Sequence, residues 1–110
     1  YIESIRKTDE YIYELWRYIL SDSNYKGKTT IFITNDHGRH IDTVSNGYVS
    51  HGDGCLGCRH LNFFAYGPDF KEDTIIVRVR ELVDISATIS ELLQLNMPYG
   101  QGEVMHELFK

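Results

Sequence analysis

Apolar residues at Ile2, Ile5, Ile12, Leu15, Trp16 and Ile19 recur along one side of a 3.6-residue period, which predicts an amphipathic helix over residues 2–20. Ser21-Asp22-Ser23-Asn24 and then Gly27 supply the turn chemistry that ends it. The pattern then changes. Residues 29–34, TTIFIT, are β-branched and aromatic without a charge, which predicts a buried central strand covered on both faces. Residues 61–66, LNFFAY, predict a second strand ending at Gly67-Pro68-Asp69, and residues 74–79 a third. Asp84 is placed to cap a helix carrying Ile85, Ile89, Leu92, Leu93 and Leu95, with Pro98, Gly100 and Gly102 as its stop. A short last helix is expected over residues 103–109. Helices alternating with apolar strands predict an α/β layered domain with a largely parallel sheet.

Composition narrows the class. A chain of 110 residues with 42% hydrophobic and 13% aromatic residues has the apolar content for a core, unlike a disordered segment. Its net charge of −5, with no Lys/Arg cluster longer than a pair, argues against a nucleic-acid polymer as partner. No apolar run reads as a membrane span or a signal peptide. A start at Tyr1 rather than Met leads us to expect a fragment of a longer product.

Between the first two strands lies an irregular stretch, residues 38–61, holding five of the nine glycines. Four of the five histidines, His37, His40, His51 and His60, lie in or beside it. Asp36-His37-Gly38 follows the first strand directly, so its side chains emerge at a strand's carboxyl end, where open α/β sheets place ligands. A carboxylate oxygen beside an imidazole nitrogen suits Zn²⁺ or a similar divalent ion, although Asp-His alone also reads as a turn cap and an ordinary loop hydrogen bond. The tyrosines at 11, 13 and 18 and Trp16 read as packing residues on their helix rather than a stacking platform.

The run ITNDHG resembles the strand-plus-ligand motif of the alkaline phosphatase superfamily of metallohydrolases. His51-Gly52-Asp53 and FFAYGP stand where that superfamily has a further ligand His and an apolar strand ending in Gly-Pro, and VDISATISELLQLNMP resembles its later helix. The resemblance covers essentially the whole chain. It implies a three-layer α/β sandwich, with residues 1–110 as the C-terminal part of a single alkaline phosphatase-like domain.

It also implies a metal-dependent hydrolase of phosphate mono- or diesters. Asp36 and His37 would bind one of two divalent ions and His51 the other, with Zn first and Mn or Mg as alternatives. Two cations about 4 Å apart can clamp a phosphoryl group. The small-molecule phosphate ester is the implied partner, and an extracytoplasmic location follows from the family alone. No nucleophile or Asp-x-x-x-His ligand pair of the family can be assigned here, so these 110 residues are expected to be inactive alone. A sulfatase or a phosphoglycerate mutase-like enzyme is the alternative branch; the absence of Lys from residues 38–61 disfavours the sulfatase.

His40, Asp53, Arg59 and His60 are weaker candidates, for orienting a ligand, contacting substrate or simply meeting solvent. A rival, non-catalytic reading uses the His/Cys loop as a zinc-binding module, with His51, Cys55, Cys58 and His60 as four donors. Such crowding hinders a tetrahedron, so a local disulfide or two reduced cysteines are preferred for Cys55 and Cys58.

Overall fold

The computed structural model describes residues 1–44 and 46–110; Ser45, within the irregular connection, lies outside the described residues. Helix α1 spans Ile2–Ser21, as the apolar spacing predicts. An Asx turn, Asn24 N–H donating to Asp22 Oδ1 at 2.8 Å, follows it, and Gly27 takes a left-handed φ of 71°. The helix is only lightly packed. Ile19 is its buried residue, Trp16 meets Tyr66 edge-on at 6.0 Å, and Ile2, Ile5 and Leu15 are exposed.

Two strands form, β1 (Ile31–Thr34) and β2 (Phe63–Tyr66). They pair antiparallel, from Ile31 opposite Tyr66 to Thr34 opposite Phe63. This corrects the expected three-layer sandwich with a largely parallel sheet: the described residues contain a two-stranded antiparallel sheet and two α-helices. The reason lies in the connection. A parallel return needs a crossover, usually helical, that carries the chain back to the starting end of the sheet. The described residues of 35–62 contain one helical turn, Gly47–Val49, and the connection leaves and rejoins the sheet at the same end. β1 is half-buried rather than covered on both faces. The expected third strand, residues 74–79, finds no strand partner among the described residues, and Ile75, Val77 and Val79 are each more than 90% exposed.

Helix α2 spans Leu82–Leu92, starting one turn earlier than Asp84 suggested. Glu81 is the N-cap, and Asp84, three residues on, completes a capping box by accepting the Glu81 N–H at 3.1 Å. Gln94, at φ 53°, turns the chain out of the helix. The expected last helix shrinks to one turn, His106–Leu108. A small core joins these parts. Phe70 and Met105 are each 2% exposed, and the Phe70 ring lies 5.4 Å from Phe32 and 5.3 Å from Phe109. The radius of gyration, 16.3 Å, exceeds the about 13 Å of a close-packed chain of this length. No helix among the described residues is long and apolar enough to cross a membrane.

Candidate metal centre

Antiparallel pairing brings both ends of the 35–62 connection together. Asn35 fastens them: its Oδ1 accepts the Asn62 N–H at 2.8 Å, and its Nδ2 donates to the His37 carbonyl at 2.9 Å and the His60 carbonyl at 3.3 Å. Gly38 donates its N–H to the Cys58 carbonyl at 2.8 Å, and His40 donates its own to Ser50 at 3.0 Å. A Cβ at Gly38 would overlap the Gly57 carbonyl oxygen, so a close backbone approach explains that glycine.

Asp36 and His37 project from the end of β1, both exposed. His37 Nδ1 lies 2.7 Å from the Gly38 carbonyl, which can only accept, so this nitrogen carries the proton and Nε2 the lone pair. That Nε2 faces Asp36 Oδ1 at 3.7 Å. Across the loop, the His51 ring stacks on His37 with centroids 3.8 Å apart and planes 7° from parallel. Two sites distant in sequence thus meet. Arg59 and His60 are exposed, and neither side chain makes a hydrogen bond or ion pair among the described residues.

The described residues hold one further convergence. His40, Asp53, Cys55 and Cys58 place ligand atoms all within 4.8 Å of one another, a group that can hold a metal ion. Both cysteines are free thiols rather than a disulfide. His51 and His60, the imidazoles of the four-donor set considered from sequence, fall outside this group, while His40 and Asp53 fall within it. His40 is 5% exposed. Its Nδ1 lies 3.3 Å from both Asn46 Oδ1 and Ser50 Oγ, and Ser50 donates its own proton to Asn46 at 2.8 Å. Both neighbours therefore offer lone pairs, and the network assigns the proton to Nδ1.

His40 Nε2 lies 3.1 Å from Asp53 Oδ2, near enough for an ion pair, yet off the hydrogen-bond direction. It is buried without a hydrogen-bond partner among the described residues. Hydrogen bonds from the Cys55 thiol and then the Cys55 N–H hold the Asp53 carboxyl down at about 2. Burial pushes the Cys58 thiol up from its usual range. Asn35, Asn46 and Ser50 escaped the sequence reading; Asn35 sits inside the ITNDHG run, but nothing in its residue type separates a loop latch from a solvated amide.

A cleft of about 350 Å³ opens elsewhere, between β2 and residues 74–85, with Arg80 and Glu107 on its wall. None of the candidate metal donors lines it. No family of known proteins, no curated protein and no solved structure matches this chain.

Proposed function

We propose that this chain supplies part of the metal site of a metal-dependent phosphate ester hydrolase, with Asp36 and His37 for one divalent ion and His51 for another. One observation carries the reading: His37 and His51, fourteen positions apart, stack 3.8 Å from each other at the rim of the sheet. Parallel planes at that spacing keep two in-plane lone pairs from converging on a single ion. The rings therefore suit two ions better than one. The donor set fits, since His37 Nε2 carries a free lone pair and the Asp36 carboxylate stands beside it.

Bound divalent cations supply charge neutralisation and Lewis acidity toward phosphoryl oxygens. The chain's own contribution is to orient: the Gly38 carbonyl fixes the His37 tautomer, and the Asn35 bonds hold the strand end against the returning loop. The reading rests on these residues and on the resemblance to the alkaline phosphatase superfamily, without its sheet architecture. With no assignable nucleophile, the 110 residues are expected to bind metal and phosphate without turnover.

Titration of the chain with Zn²⁺ and then inorganic phosphate tests this. We expect phosphate uptake only in the metal-loaded chain, with one metal equivalent lost in His37→Ala and another in His51→Ala. Unchanged stoichiometry in both variants would overturn the proposal. The non-catalytic zinc module is the second reading, favoured by the convergence of His40, Asp53, Cys55 and Cys58. It predicts metal uptake insensitive to His37 and His51.

A further inference from the structure

We infer that His40, Asp53, Cys55 and Cys58 form a closed, four-coordinate structural site for Zn²⁺, separate from the donors Asp36, His37 and His51. The inference goes beyond the proposed hydrolase and does not depend on it. Geometry comes first. With bonds of about 2.3 Å to sulfur and about 2.0 Å to nitrogen or oxygen, a tetrahedral zinc site has edges of roughly 3.3 to 3.8 Å. The four ligand atoms already lie within 4.8 Å of one another, and His40 Nε2 stands 3.1 Å from Asp53 Oδ2. Closing onto an ion requires an inward movement of at most about 1.5 Å for any pair.

The second observation is His40 Nε2, buried without a hydrogen-bond partner among the described residues. A buried acceptor without a donor carries a desolvation cost, and few native side chains leave one uncompensated. Here Nε2 lies within 4.8 Å of ligand atoms from two thiols and a carboxylate, and Asn46 and Ser50 hold the ring from behind as outer partners of a metal-bound histidine do. The chemistry of the donors makes the choice of ion. Two sulfurs with one imidazole select zinc over the oxygen-seeking Mg²⁺ and Ca²⁺.

The local backbone is built for it. Cys55-Leu56-Gly57-Cys58 folds as a turn in which the Cys58 N–H points at Cys55 Sγ at 3.4 Å and brings the two sulfurs to one side. The obstacle seen in sequence was crowding within ten residues. His40 removes it by entering from the opposite arm of the loop. Binding releases the thiol protons and cross-links both arms beside the Gly38 to Cys58 backbone bond.

Loading the reduced chain with Co²⁺ alone tests the site. We expect one equivalent to show tetrahedral d–d absorption and a sulfur-to-cobalt charge-transfer band. Both signals should disappear in His40→Ala and Cys58→Ser, persist in His37→Ala and His51→Ala, and yield to equimolar Zn²⁺. His40→Cys restores a ligand, so its retention of the bands beside their loss in His40→Ala separates ligation from misfolding. An octahedral spectrum without charge transfer, loss of the bands in His40→Cys, or their persistence in Cys58→Ser would overturn the inference. So would bands that depend on His37 or His51. Failure here leaves the phosphate titration untouched, so the two proposals fall separately.

Discussion

Thr88 and His40 are both buried polar side chains, one in the C-terminal region and one in the loop, and their surroundings differ in kind. Thr88, fully buried, donates to the Asp84 carbonyl at 2.8 Å and accepts the Met105 N–H at 3.0 Å. Beside it, Asp84 accepts the N–H groups of Glu103 at 2.8 Å and Glu81 at 3.1 Å and faces Arg80. Burial opposes the charged form of Asp84, but those N–H groups and the Arg80 guanidinium hold its carboxyl below the usual range. Every group there is answered by the protein itself, and the result is architecture: the network ties residues 103–105 onto α2. His40 is buried too, yet its Nε2 has no hydrogen-bond partner among the described residues, only the Asp53 carboxylate 3.1 Å away and off the bonding direction. Buried polarity alone does not mark a functional site; buried polarity left unanswered does.

The largest effect should come from cutting the C-terminal network at its charged centre. Arg80 donates from Nε to Glu107 Oε1 at 2.7 Å and from Nη2 to Oε2 at 2.6 Å, with both side chains less than one-fifth exposed. Arg80→Ala leaves Asp84 without its cation and Glu107 with only the more exposed Arg78 at 3.6 Å, and should cost about 3 kcal/mol, read from the urea unfolding midpoint. A loss below about 0.5 kcal/mol would mean that the pair is worth no more than a solvated surface bridge.

Thr88→Val keeps the shape and removes the hydroxyl, stranding the Met105 N–H. We expect a loss of about 1 to 2 kcal/mol, and Thr88→Ser should recover most of it. Equal losses in the two variants would assign the effect to packing instead.

A pH-dependent effect belongs to Glu107, whose carboxyl the Arg80 hydrogen bonds hold down at about 2 against an ordinary 4.5. Because the folded value is depressed, this stabilisation is complete above 4.5 and disappears as pH falls toward about 2. Glu107→Gln should therefore flatten the acid side of the stability profile. Its difference from the parent chain should be greatest near neutrality and vanish as pH falls through about 2.

The sequence made the two helices legible because each carries its own local code, the apolar spacing of α1 and that of α2, whose Asp84 marked the first turn although Glu81 is its N-cap. Both strands of the sheet were legible for the same reason, in residue type. Their direction was not, because parallel and antiparallel pairing differ in the path of the connection, and a Gly-rich stretch with no period leaves that path unspecified. Residues 74–79 show the related limit: Ile75, Val77 and Val79 alternate as a strand should, but pairing needs a neighbour that strand propensity does not supply. At the candidate site, Asp36, His37 and His51 were visible as residue types beside a strand or glycines. His40 and Asp53 stood only among the weaker candidates, because the role of His40 depends on Asn46, Ser50 and Asp53 surrounding it, which only the folded loop brings about.

His40→Leu should have the smallest effect, and it tests the opening comparison most directly. In a chelator the substitution removes a lone pair that the chain does not satisfy. It also frees Asn46 and Ser50, which already bond each other and, unlike Met105 beside Thr88, can turn to water. Replacing an unanswered polar group by an apolar one of similar bulk is close to neutral, so the unfolding midpoint should move by less than about 1 kcal/mol in either direction. In excess zinc the parent chain should gain stability by mass action, and His40→Leu should gain less, keeping only what the Asp36, His37 and His51 donors supply. If the chelated variant instead loses as much as Thr88→Val, His40 is as well satisfied as Thr88, and the distinction between the two regions disappears.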